Sequence, residues 1–258
     1  MNSLLWQGGC VALLIACVLW NRSEVGDPRW PLLGLGLTLF LWLLLGIYVI
    51  VAGLWYGNSS NLYSTLLGAI RVDSSILPVV SCVVAFIPIV LWVSLIVSSQ
   101  RVPSIHDITT DMNQPPPLTL AESNRHPSHN SVVYANKNIS QQRTAYPEVK
   151  PLIVALPPEK LMPIVINAVS DLGWQLHHPL EEKVGMLNDH GDLLIEAYDK
   201  TALLGFVDDI VVRVRAINEG SQIDIRSASR IGQSDFGVNA QRIQAFLKVI
   251  NHQTTVVQ

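Results

Sequence analysis

The distribution of charge along the chain constrains its fold more than any other feature. Between Met1 and Gln100 the charged residues are confined to Arg22, Glu24, Asp27, Arg29, Arg71 and Asp73. The remainder has an ordinary charge density. Hydrophobic residues make up 49% of the 258-residue chain and charged residues 14%, against about 25% charged in average soluble domains. The deficit is therefore local, and the chain divides into two parts built for different surroundings.

Three apolar runs fill the first part: Leu4 to Trp20, Pro31 to Leu54 and Ile76 to Val97. Each approaches the roughly 20 residues that a hydrocarbon core requires. The pattern predicts a membrane domain over 1–100 with three transmembrane helices at 4–20, 31–54 and 76–97. Pro31 suits a first helical turn, and Pro88 predicts a kink. The first run lacks Lys and Arg before it and a small-x-small site after it, so it reads as an uncleaved helix. No Asp, Glu, Lys, Arg or His interrupts the three runs, which argues against a transport pathway.

From 101 to 145 the composition shifts. RVPSIHDITTD reads as a short strand, and the segment that follows is rich in Pro, Ser, Asn and Gln, including Pro115-Pro116-Pro117. This is linker chemistry. Compact structure is expected over 146–258. Leu161, Ile164, Val165, Ala168, Val169 and Leu172 recur at helical spacing before Gly173. Ile210, Val212 and Val214 alternate with Val211, Arg213 and Arg215, and a turn at 218–221 predicts a hairpin over 209–230. A helix follows over 236–251, with Ser234 or Asp235 as its N-cap. The fold class expected is α+β: three transmembrane α-helices, then a two-layer domain of antiparallel sheet with packed helices.

The net charge of −3 does not resemble the basic footprint of a nucleic-acid binder. Cys10, Cys17 and Cys82 all lie in the apolar runs, so the second part has no thiol chemistry. Neither His177-His178 nor His126 with His129 has convincing metal spacing, and no cofactor or metal is expected. If Ile217 stands opposite Gln222, Arg213 stands opposite Arg226. Two adjacent guanidiniums would grip an anionic group; the plainer alternative is a solvated face with Glu196 as counter-ion. Asp208-Asp209 would serve acid–base chemistry with His106, although adjacent strand residues face apart. Ser227, Ser229 and Ser234 lead into a helix N-terminus, another anion-binding geometry, or simply a strand end and a cap.

The stretches IHDITTD, Ala145-Tyr146-Pro147, LLGFVDDIVVRVR and IDIRSASRIGQSDFGVNAQRI resemble the bacterial family labelled domain of unknown function 1499, over roughly residues 102–248. The motif residues carried onto this chain are Phe206, Asp208, Asp209, Arg213, Arg226, Ser227, Ser229, Arg230, Gly232, Ser234, Asp235, Gly237 and Asn239. The resemblance implies a bacterial envelope protein and brings no reaction with it. Exported relatives imply a periplasmic domain; the Lys and Arg count across the loops points to the cytoplasm, but by a margin of two residues, so the periplasm is favoured.

These readings converge on a non-enzymatic binding or interaction module, held in the inner membrane as a multi-pass protein. Its ligand-binding residues would be Asp208, Asp209, Arg213, Arg226, Ser227, Ser229, Arg230, Ser234, Asp235 and Asn239. Its partners would be the lipid bilayer and an anionic small molecule, lipid headgroup or envelope protein, with no nucleic acid. The alternatives are a hydrolase-like enzyme using Asp208 or Asp209 with His106, and a structural subunit of a membrane complex.

Overall fold

The computed structural model describes residues 2–23, 29–55, scattered positions within 86–97, and 102–177, 186–187, 191–201 and 204–257. The chain forms two compact units, Met1–Ser98 and Ser99–Gln258.

The first unit holds helices α1 (Asn2–Ser23) and α2 (Arg29–Trp55). Among the described residues, no helix is long and apolar enough to cross a membrane. This overturns the expectation of three transmembrane helices and of a multi-pass inner-membrane location. The run expected at 76–97 lies mostly outside the described residues.

The second unit is an antiparallel sheet with helices. Its elements are β1 (Asp107–Thr109), α3 (Thr119–Ser123), α4 (Asn138–Ala145), β2 (Leu152–Val154), α5 (Pro158–Asp171), β3 (Gln175–Leu176), β4 (Met186–Leu187), β5 (Leu193–Lys200), β6 (Val207–Ile217), β7 (Gly220–Ser229) and α6 (Val238–Val257). The strand order is β1-β7-β6-β5-β3, with β2 also paired to β7 and β4 to β5. Short strands thus cover both long edges. β1 is itself closed by a side chain: the Gln142 carboxamide accepts from the Thr109 N–H at 3.1 Å and donates to the Thr109 carbonyl at 2.6 Å. An amide side chain here takes the place of another strand and blunts the edge.

Alternation along the strands sends side chains to two faces. On one, Ile195, Ile210, Val212, Val214, Ile223 and Ile225 form the main core with Leu161 and Val165 of α5 and Ile243, Phe246 and Ile250 of α6. Phe246 stacks on Trp174 with ring centroids 5.6 Å apart. Pro163 sits inside α5, and Gly173 follows at φ +74°, the left-handed region in which glycine ends helices without a Cβ clash. On the other face a smaller core joins Leu194, Val211 and Ala228 of the sheet to Leu118, Ala121 and Val132. Residues 111–135, read from composition as linker, lie across that face as a strap.

The central hairpin differs from the expected register. β6 and β7 are joined by the two residues Asn218 and Glu219, and Ile217 pairs with Gly220. The expected pairing was Ile217 with Gln222. A displacement of two residues keeps every side chain on its own face but changes its partner. Arg213 stands opposite Asp224, and Arg226 opposite Val211. The expected Arg213–Arg226 pair does not form. Opposite charges replace like charges, and the turn shortens because Gly220 adopts φ +133° against the Val154 carbonyl.

Candidate functional site

The residues singled out by sequence fall on both faces of the sheet. Asp209, Arg213, Arg226 and Arg230 lie beneath the strap. Asp208, Ser227 and Ser229 lie on the helix face, where Arg242 of α6 meets Asp208 and Asn239 meets the two serines. The two clusters are separated by the sheet itself.

Beneath the strap, each guanidinium is held by internal acceptors. Arg226 forks onto Asp107 with bonds of 2.9 and 2.7 Å and also donates to the carbonyls of Pro116 and Val132. Its plane lies 5.7 Å from the centroid of the Tyr134 ring, within cation–π range. Burial and nearby Asp107 push the Tyr134 phenol well above its ordinary value. Arg213 donates to Asp224 at 2.8 Å and to Asp111 of the strap at 2.9 Å. Asp209, fully buried, takes Arg125 of the strap at 2.8 Å and Arg230 at 2.9 Å. His177 Nε2 lies 3.3 Å from Asp209 Oδ1, an electrostatic contact without hydrogen-bond alignment. Burial raises the Asp209 carboxyl, but His177, Arg230 and Arg125 outweigh it and hold it below its ordinary value.

Glu196 completes this layer. Its carboxylate accepts the N–H groups of Thr119, Leu120 and Ala121 at 2.8 to 3.0 Å, the otherwise unpaired donors at the start of α3. Burial nonetheless pushes it above its ordinary value. It is a clamp on the strap, and not the counter-ion of an arginine pair.

On the helix face, Arg242 of α6 meets Asp199 and Asp208, each at 2.8 Å. It also donates to Ser227 Oγ and Asn239 Oδ1. Ser227 Oγ donates to Asn239 Oδ1, and Asn239 Nδ2 donates to Ser229 Oγ and the His106 carbonyl. Asp235 caps α6 by accepting from the N–H groups of Gly237 and Asn239 at 2.8 and 2.9 Å. Ser234 Oγ accepts from the Phe236 N–H at 3.3 Å.

The acids expected to work with His106 have other partners. Asp208 pairs with Arg242, Asp209 with Arg125, Arg230 and His177, and His106 takes part through its backbone carbonyl. Among the described residues no group of three or more His, Cys, Asp or Glu could hold a metal ion. Sequence reasoning missed Asp111, Arg125, Gln142 and Arg242, and paired Asp107 with His106 where the structure pairs it with Arg226. No local signal marks them, because their partners are remote in the chain: Arg213 reaches Asp111 over 102 residues and Arg226 reaches Asp107 over 119.

One feature of this region faces outward. Phe236 adopts φ +54°, the one positive φ outside glycine among the described residues, and is 44% exposed. The family model described as protein of unknown function (DUF1499) matches residues 107–250. No curated protein and no solved structure matches the chain.

Proposed function

The chain belongs to the DUF1499 family, and we propose that its α+β unit is a non-enzymatic interaction module that binds a protein partner through the turn at 234–238. The observation that carries this reading is the backbone of Phe236. A bulky side chain at positive φ costs about 1–3 kcal/mol and persists only where its surroundings hold it there. Here the holding groups are evident. Asp235 accepts from Gly237 and Asn239, and its own N–H donates to the Ile105 carbonyl at 3.1 Å. Asn239 is fixed in turn by Ser227 and Ser229. The fold thus maintains a strained conformation that presents an aromatic ring, with Val238 beside it 38% exposed. Exposed aromatics on rigid supports are the usual anchors of protein interfaces.

The internal saturation of Arg213, Arg226 and Arg230 argues against an anionic ligand on those residues. A guanidinium already forked onto a buried carboxylate has little to offer a phosphate. The test is site-specific photo-crosslinking in the full chain in its native cells, with the photoreactive aromatic at 236 and, for comparison, at Val133, which is 75% exposed. A discrete protein adduct at 236 and not at 133 is expected. No adduct at 236, or the same adducts at both positions, would refute the interface.

A further inference from the structure

We propose that His129 couples proton uptake to release of the strap, making the turn at 126–129 a proton-sensitive latch. The turn closes with the His129 N–H on the His126 carbonyl at 2.8 Å, with Pro127 at its second position, the geometry proline favours. Both imidazoles then act as acceptors. His129 Nδ1 receives the His126 N–H at 3.0 Å, and His126 Nδ1 receives the Ser128 N–H at 3.2 Å. Each Nδ1 must therefore be unprotonated. A proton on His129 Nδ1 would turn its acceptor into a donor facing a donor.

The surroundings oppose that proton as well. The titratable and charged groups facing His129 are Arg125 on the strap, Arg230 beyond β7, His126 on the same turn and Asp209 on β6. Asp209 is already engaged by Arg125 and Arg230. Burial first, and then Arg230, Arg125 and His126, pull His129 down to about 4. The same turn carries the strap's grip on the sheet: Arg125 holds Asp209 and the Ala228 carbonyl, and Asn130 bonds the backbone of Ser229, Arg230 and Gly232. Lifting the turn places His129 in water, where its ordinary value is 6.5.

Linkage sets sign and size. A histidine depressed in the closed state favours closure above its ordinary value, and that advantage is lost as pH falls from 6.5 toward about 4. Glu196 acts in the opposite sense, because burial under the strap raises it and opening would lower it. The contribution of His129 is therefore isolated by comparing the wild-type chain with His129→Asn, whose Oδ1 can accept the His126 N–H but cannot take up a proton in this range.

The experiment is hydrogen exchange of the full chain at pH 7.5 and pH 5, corrected for intrinsic rates. It follows the backbone amides of 124–126 and 128–130 and, as reference, those of β6. Between the two pH values, wild-type strap opening should increase about thirtyfold relative to His129→Asn, the factor set by the two histidine values. Protection in β6 should change equally in both proteins. An equal pH response of the strap amides in both proteins would overturn the proposal. Should His129→Asn fail to fold, the wild-type His129 ring is titrated by NMR instead. A midpoint near the ordinary 6.5 with the strap still protected would overturn the proposal equally.

Discussion

Arg226 and Asp107 form a two-bonded fork, 2.9 and 2.7 Å long, between β7 and a strand 119 residues earlier in the chain. Both side chains are 3% exposed. The pair fastens the beginning of the domain to its central hairpin, and the strap carbonyls of Pro116 and Val132 complete the guanidinium's bonding. Asp107→Ala should destabilise the domain by about 3–5 kcal/mol, because it leaves a buried cation without a partner. The double variant Asp107→Leu with Arg226→Met should lose much less. Chemical denaturation of the three proteins checks this, and equal losses in both variants would show that the pair's charge is not what matters.

Asp209 serves two arginines at once, so its removal takes the carboxylate from both. Asp209→Asn should cost about 3–5 kcal/mol at neutral pH on the same reasoning. The acid limb carries a second signature. A carboxyl held below its ordinary 3.8 by its partners contributes stability that is present above that value and lost as pH falls through the lower folded value. Wild-type stability should therefore fall more steeply than that of Asp209→Asn below pH 3.8. Parallel curves from denaturant midpoints across that window would count against the pairing.

Glu196→Gln tests the clamp on α3. The carboxylate offers both oxygens to three backbone donors, and a carboxamide presents N–H groups where one oxygen stood. The expected loss is about 1–3 kcal/mol, the usual consequence of an unsatisfied buried donor. Exchange should quicken at Thr119, Leu120 and Ala121 while β6 keeps its protection. Uniform quickening across the sheet would show that Glu196 supports the whole domain and not the strap.

Gln142→Ala should expose the edge of β1. The Thr109 N–H and carbonyl both lose a buried partner, at a cost of about 1–3 kcal/mol. Gln142→Glu should be worse than a simple loss of contact, since a carboxylate cannot donate to the Thr109 carbonyl. Calorimetric midpoints should rank wild type above both variants, with exchange at Thr109 accelerated; an unchanged Thr109 amide would refute the capping role.

Much of the α+β unit was legible in the sequence. The 3.6-residue recurrence from Leu161 to Leu172 predicted α5, and the alternation through Ile210, Val212 and Val214 predicted β6 and its buried face. Asp235 was recognisable as a cap because its carboxylate acts on amides two and four residues ahead. Legibility ended where partners lie far apart. The strap has linker composition, yet Leu118, Ala121 and Val132 pack on the sheet. A handful of apolar side chains, with Glu196 and Asp209 beneath them, suffices to seat it, and no periodicity advertises that. The apolar runs of the first part were legible as composition, but no helix among the described residues meets the length and apolarity of a membrane span.

What the sequence determined by itself was therefore local: the helical recurrence of α5, the apolar side of β6, and a capping residue ahead of α6, which begins at Val238 and not at the expected 236. Those properties depend on side chains within a turn or two of one another. Only the tertiary structure decided which charge meets which. A two-residue choice of register set Arg213 against Asp224 in place of Arg226; pairing of β1 with β7 brought Asp107 to Arg226, and folding of the strap brought Asp111 to Arg213 and Arg125 to Asp209. Register and strap position are settled by the summed burial and pairing of the whole sheet. An arginine in the sequence thus reads equally well as a ligand's grip or as a structural rivet until the carboxylate opposite it is known.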